Sequence, residues 1–426
     1  VSIVRMHAEC IIFGLFAGGL SRKLYQPPLP DLLSMGRFAI VDDDAIRRGQ
    51  CTDIYFVRTE EILRKSGKNP RVAMEVTASS LPDGFAVFCG LDDVITLLEG
   101  IPICLDAMDE GSIFYPGEPV LRIEGHYQDF IRYETAILGF LCHASGIATA
   151  AASLRCISGG RAIYSFGSRR QHPAIATMVE RAAWVGGVDA VSNTTAPPEI
   201  PLSGTMPHSF VMCYSSPNEA FIAFDRYADP DVPRIFLCDT FCDEKMESLA
   251  GARSGAQGVR LDTPRSRRGN MRAIIEEVRW ELDAAGYREV KMVLSGGVTR
   301  DDIIAYRDLV DAFGVGGTIA NAPVVDFALD IVSIEGNPSA KRGKKSGEKQ
   351  VWELPDGRHH LLPAGQPGPG EGIPLLSPYL KEGVVVQRPP LSAARERLMR
   401  SLMQRGWLDS SGVDCAGAPA DPARDK

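Results

Sequence analysis

Between Arg132 and Asp330 six short β-rich runs recur, each followed by a segment of helix length, and no other feature of the chain constrains its fold as strongly. The runs are 162–165, 190–192, 234–238, 258–261, 291–294 and 312–315. Strands that alternate with helices lie parallel, because a crossover is needed to return the chain to the same end of a sheet. This stretch therefore predicts an α/β barrel or open sheet. Ligand chemistry in such folds collects at the carboxyl ends of the strands.

The residues that terminate the runs fit that rule. They are Phe166-Gly167-Ser168-Arg169-Arg170, Asn193-Thr194-Thr195, Asp239-Thr240, Asp262-Thr263, Ser295-Gly296-Gly297 and Gly316-Gly317-Thr318. One polar strand end says little, but six in succession point to a shared site. Ser295-Gly296-Gly297 and the run from Gly314 to Thr318 each follow an apolar strand and precede a helix, so their N–H groups suit a phosphate, whereas tight turns alone would also explain the glycines. Asp239 and Asp262 suit sugar hydroxyls or Mg²⁺, with helix capping as the plainer alternative. Arg169 and Arg170 offer forked donors for a carboxylate or pyrophosphate, and cations near a helix start oppose the helix dipole unless an anion is bound. His208, beyond Ser203-Gly204-Thr205-Met206-Pro207, has the chemistry of a nucleophile or acid/base, although a single histidine is as readily structural.

The flanking sequence reads differently. Residues 35–131 mix strand-like runs (86–88, 120–123) with the helical stretch 91–98 and a turn at Tyr115-Pro116-Gly117-Glu118-Pro119, predicting the first part of an α+β domain. Residues 331–409 return to such a pattern and predict its second part, with the basic segment Lys341-Arg342-Gly343-Lys344-Lys345, a mobile Pro/Gly-rich loop at 355–374 and a helix over 393–404. Residues 410–426 read as a disordered tail. The apolar run 11–20 is too short to span a bilayer, and residues 1–34 read as a disordered or non-native extension before a start at Met35.

Composition narrows the classes of function. Lys+Arg 46 against Asp+Glu 54 leaves a net charge of -8, which provides no overall field for nucleic acid or an anionic membrane, so neither is expected as a partner. The ten cysteines are scattered through apolar runs without a CxxC pair, which fits reduced thiols in a cytoplasmic protein and argues against a structural zinc.

Taken together, Thr52-Asp53-Ile54-Tyr55-Phe56, Phe166 to Arg170, Gly204 to Ser209, Arg260-Leu261-Asp262 and Ala340 to Lys344 resemble, in order, the motifs of the nicotinate phosphoribosyltransferase family. The resemblance runs from Met35 to Trp352. It implies the irregular α/β barrel of the type II phosphoribosyltransferases, beside a smaller α+β domain built from N-terminal and C-terminal segments. It further implies that nicotinate lies between Phe166 and Tyr55, the latter from the other subunit of a homodimer. Arg169, with Arg170 beside it, meets the nicotinate carboxylate. Asp239, Arg260 and Asp262 hold phosphoribosyl pyrophosphate and its Mg²⁺, and Ser295, Gly296, Gly297, Gly316, Gly317 and Thr318 bind the 5′-phosphate. Lys341, Arg342 and Lys344 face pyrophosphate.

By the same resemblance His208, in the segment with Thr205, is phosphorylated by ATP, a co-substrate, and so couples an unfavourable transfer to ATP hydrolysis. Asn193 stands where nicotinamide-specific relatives place an aspartate, and a neutral side chain there tolerates anionic nicotinate. The chain departs from some relatives in lacking cysteine pairs near Val351-Trp352-Glu353, where those carry zinc. The competing readings are a nicotinamide or quinolinate phosphoribosyltransferase, a barrel aldolase or isomerase, and a non-catalytic phosphate-binding regulator. A Schiff-base aldolase needs a strand-end lysine, and none of the six runs ends in one.

Overall fold

The structure is a computed structural model that describes residues 38–81, 83–241, 243–263 and 269–408. The expected extension at 1–34 and the tail at 410–426 lie outside the described residues.

All six expected strands form, as Ala162–Ser165, Ala190–Val191, Ile235–Leu237, Gly258–Leu261, Lys291–Leu294 and Ala312–Val315. Every pairing among them is parallel. In sheet order they run second, first, sixth, fifth, fourth, third. The first and last strands therefore pair, as in a barrel, through Ala162 and Ala312. The second and third do not, so the expected barrel is a curled sheet with one open seam. The second strand is only two residues long, and Pro197, Pro198 and Pro201 follow it, removing backbone donors that would extend a ladder. The chain between the second and third strands is tied back to the second by an isolated bridge from Leu202 to Val191.

An antiparallel seven-stranded sheet forms the other layer. Its order is Asn337–Pro338, Phe327–Ile334, Arg71–Ala78, Pro119–His126, Cys104–Ala107, Ser377–Lys381 and Val384–Val385. N-terminal and C-terminal segments thus interleave, as expected for the smaller domain. The boundary drawn at residue 330 falls inside the Phe327–Ile334 strand, which pairs with Arg71–Ala78 along its length. Asp330 therefore belongs to the antiparallel sheet.

The helix Glu134–Ile157 joins the two halves. Ala136, Ile137 and Leu141 enter the core under the antiparallel sheet, and residues from Ala144 to Ile157 enter the core of the parallel sheet. The stretch Tyr127–Ile157 is long and apolar enough to cross a membrane, but it is mostly buried in the protein, and apolarity around a helix is what contact with two cores demands.

Two C-terminal expectations change. Residues 355–374 are not simply a loop: His359–Pro363 and Ile373–Pro374 pair on either side of Lys349–Glu353 in a three-stranded sheet. Proline and glycine there mark turns between short strands. The helix Leu391–Gln404 packs Ala394, Leu398 and Leu402 into the parallel-sheet core, and Arg395 donates to the Trp184 carbonyl at 2.8 Å. Residues 331–409 therefore serve both halves.

Candidate active site

The carboxyl ends of the six strands lie side by side, and most of the expected residues meet there. Phe166 leaves the first strand with its N–H donating to the Val315 carbonyl at 2.8 Å. Its ring lies against Gly314, where an added Cβ would come 2.4 Å from Phe166 Cε2, and the Arg260 guanidinium sits 5.4 Å from the ring centre. Arg169 and Arg170 follow in a single 3₁₀ turn, both exposed, and their guanidinium groups make no hydrogen bond or ion pair among the described residues. The Asn193 amide, from the second strand end, donates to Ser168 Oγ at 3.0 Å while its oxygen accepts from the Thr195 N–H. One loop thus steadies the other.

The carboxylates occupy the centre. The buried Asp239 accepts with Oδ2 from the Asp262 N–H at 2.7 Å and from the Thr263 hydroxyl at 2.6 Å. Its Oδ1 is buried without a partner among the described residues. Burial raises the Asp239 carboxyl above the ordinary range, offset in part by those donors and by His208. Asp262 is bound by Ser295 Oγ at 2.5 Å and by Arg260 at 3.2 Å, and Arg260 also donates to Ser295 at 2.9 Å.

Capping does not explain either aspartate. Asp243 caps the helix Glu244–Arg253 and Asn270 caps Met271–Ala284, so Asp239 and Asp262 are free for other work.

His208 starts the short helix His208–Met212, with Nδ1 3.2 Å from Thr240 Oγ1 and Nε2 3.5 Å from Asp262 Oδ2. Thr240 is held in turn: its N–H and that of Phe241 donate to the Glu247 carboxylate at 2.9 and 2.8 Å. In the same segment Thr205 has a buried hydroxyl without a partner among the described residues.

The glycine loops complete the rim. Gly296 has φ +88°, and a Cβ there would meet the Asp262 carbonyl at 2.3 Å. Thr318 Oγ1 donates to the Val298 carbonyl at 2.6 Å, tying the second loop to the first. Gly317 begins a four-residue helical turn.

Four expected residues lie elsewhere. Tyr55 stands exposed on the helix Ile54–Ser66, its hydroxyl donating to Asp53 at 3.3 Å, and within one chain its ring touches Phe56 rather than Phe166. Lys341 and Lys344 pair with Asp330 of the antiparallel sheet at 2.6 and 3.0 Å, and Arg342 is exposed beside them. Burial works to raise the Asp330 carboxyl, but the two lysines hold it below its ordinary value. Glu134 links these groups: burial and the charges of Asp330 and Asp53 push it up to about 7, against the pull of Lys341. Tyr55 and the basic segment therefore share one surface.

Sequence reasoning named Thr240 at a strand end and Gly314 in the second glycine run, but gave Gly314 no part in seating Phe166 and passed over Glu247. Glu247 had no such signal, because its role depends on a helix folding back over the turn at Thr240.

An open parallel sheet whose strand ends converge an arginine pair, an aromatic ring, two carboxylates and two glycine loops defines a phosphoribosyltransferase of the type II class. Residues 53–145 match the family model for the N-terminal domain of quinolinate phosphoribosyl transferase, and residues 147–330 match that for its C-terminal domain. A nicotinate phosphoribosyltransferase of Mycobacterium tuberculosis is 30% identical over 355 residues, covering 75% of each chain, and that of Bacillus subtilis is 28% identical over 334 residues. The chain belongs to the nicotinate phosphoribosyltransferase family.

Solved structures agree on the architecture. Nicotinate-nucleotide pyrophosphorylase of Pyrococcus furiosus aligns with TM-score 0.85 and 46% identity, over 87% of this chain and 99% of that one. The human nicotinic acid phosphoribosyltransferase shares the fold, with TM-score 0.68 and 21% identity over 83% of this chain and 94% of that one.

Proposed function

We propose that this enzyme forms nicotinate mononucleotide and pyrophosphate from nicotinate and phosphoribosyl pyrophosphate in NAD salvage, in the cytoplasm, with ATP hydrolysis coupled through His208. The observation that carries the reading is the pairing, at one sheet end, of unengaged Arg169 and Arg170 beside the Phe166 ring with the Asp239–Asp262–Arg260 cluster. The arginines suit the carboxylate of a planar pyridine, and the cluster suits a phosphorylated ribose. The glycine loops and Thr318 suit the 5′-phosphate.

As the bond from ribose C1 to pyrophosphate breaks, positive charge develops on the sugar and negative charge on the leaving group, and the pyridine nitrogen bonds to C1. The residues orient the reactants and stabilise both charges; no strong acid or base is needed. The partnerless Asp239 Oδ1 beside Asp262 fits Mg²⁺, which takes one or two carboxylates and completes its shell with phosphate and water. When bound, Mg²⁺ neutralises charge on the pyrophosphate.

His208 accepts the γ-phosphoryl group of ATP: a P–O bond of ATP breaks as a P–N bond forms, and water later releases phosphate. Its Nε2 lies 3.5 Å from Asp262 Oδ2, which places the ring beside the carboxylate cluster. Tyr55 and Lys341, Arg342 and Lys344, grouped on one surface away from their own strand ends, enter the neighbouring site of a homodimer.

The test offers nicotinate, nicotinamide or quinolinate with phosphoribosyl pyrophosphate and Mg²⁺, with and without ATP, and identifies the mononucleotide. Nicotinate is expected to react and ATP to stimulate the reaction; product from nicotinamide or quinolinate alone rejects the substrate assignment. His208→Ala is expected to abolish the stimulation while leaving slow ATP-independent transfer. Unchanged stimulation rejects the phosphohistidine.

A further inference from the structure

The helix Ala176–Val185 carries an acid that this scheme leaves unused. Its buried stripe runs Ala176, Val179, Glu180 and Ala183, so the helical repeat sets Glu180 among apolar neighbours, where it is fully buried. Acids so placed are nearly always paired with a cation. Glu180 is not.

The groups that act on it are neutral: the hydroxyls of Ser165 and Ser168 and the N–H of Asn193. They lie on the first and second strands' ends, the same loops that present Phe166, Arg169 and the Asn193 amide. Neither Glu180 oxygen completes a hydrogen bond among the described residues, and the Ser165 hydroxyl is likewise uncommitted.

Charged groups on the elements packed against this helix are engaged elsewhere. Arg181 binds Glu110, and Arg155 and Arg395 bind Asp189. Arg169 and Arg170 are exposed, His172 accepts from the Ala174 N–H, and burial lowers the pKa of His143 on the long helix.

We propose that Glu180, fully buried beneath the Phe166–Arg170 and Asn193 loops with no cation beside it among the described residues, is a positioning and specificity residue for the pyridine carboxylate. This rests on the nicotinate reading above. Burial raises its carboxyl above the ordinary range, with Ser165, Ser168 and the Asn193 N–H offsetting part of the rise. Once ionised, Glu180 repels an anionic ligand but not a neutral one.

The experiment measures kcat and the KM for nicotinate from the ordinary carboxyl range, about pH 4, to about pH 9, together with the inhibition constant of a neutral pyridine competitor, for the wild type and Glu180→Gln. The wild-type KM is expected to rise several-fold toward the alkaline end with kcat little changed, the competitor's constant to stay level, and the Gln variant to lose the rise. Equal pH profiles in the two proteins overturn the proposal. So does a matched rise for the neutral competitor in the wild type, a readout that does not depend on the variant folding. Failure of the wild type to use nicotinate removes the nicotinate reading and the proposal with it, and is distinct from turnover with matched profiles, which removes the proposal alone.

Discussion

Gly314 leaves room for the Phe166 ring and none for a side chain of its own. A methyl group at Gly314 would stand 2.4 and 2.6 Å from two ring carbons, so Gly314→Ala is expected to shift the ring, raise the nicotinate KM and cost about 1–3 kcal/mol of stability. Steady-state kinetics and thermal unfolding check both; an unchanged KM would exclude the Phe166 ring from the base pocket. Asp239→Asn keeps an oxygen for the Asp262 and Thr263 donors but replaces the partnerless oxygen with an amide. The fold is expected to survive while kcat/KM falls roughly 10²-fold or more, with a higher Mg²⁺ requirement, as measured by metal titration.

At the scale of elements, Glu110 joins the parallel and antiparallel halves. Its carboxylate takes the N–H groups of Gly90 and Leu91, at 2.7 and 3.0 Å, at the start of the helix Leu91–Leu98, and two donors of Arg181 at 3.0 and 2.5 Å from the helix under the site. Burial opposes the charged form, but Arg181 and the two N–H groups outweigh it and hold the carboxyl below its ordinary value. A depressed carboxyl contributes stability that is complete above the unfolded value, about 4.3, and lost as pH falls through the folded one. Acid unfolding curves are therefore expected to show wild-type stability dropping below about pH 4, and Glu110→Ala, which strands Arg181, to be weaker by about 3–5 kcal/mol at neutral pH. Loss of the low-pH drop without loss at neutral pH would contradict this. The seam has a similar local origin: three prolines after a two-residue strand leave the second strand too short to pair with the third.

The whole molecule has two cores threaded by one helix, and one surface carrying Tyr55, Lys341 and Lys344 that belongs to neither strand-end cluster of its own chain. Mixing Tyr55→Ala with Asp239→Ala tests whether that surface serves a neighbour. Each variant alone is expected to be nearly inactive, whereas reassorted dimers contain one intact site and should recover roughly a quarter of full activity. Dissociation and reassembly followed by assay decides the matter, with no recovery counting against shared sites.

The order of elements and the chemistry at their ends were legible from the chain alone. Short β-rich runs, each followed by a segment of helix length, already specified the parallel strands, and the strand-end rule brought Phe166, Arg169, Asp239, Asp262 and the glycine loops to one place before any coordinates. Tertiary structure decided what depends on residues far apart in sequence. It showed that the strands stop short of a closed barrel and that Pro/Gly-rich 355–374 pairs into a sheet. It also put Asp330, rather than a strand end, against Lys341 and Lys344. Glu180 lies between these cases. The repeat of its helix placed it on the apolar stripe, but only the packing of two loops over that stripe left a buried acid without a counter-charge among the described residues, because desolvation is set by the neighbours a fold supplies and not by the residue itself.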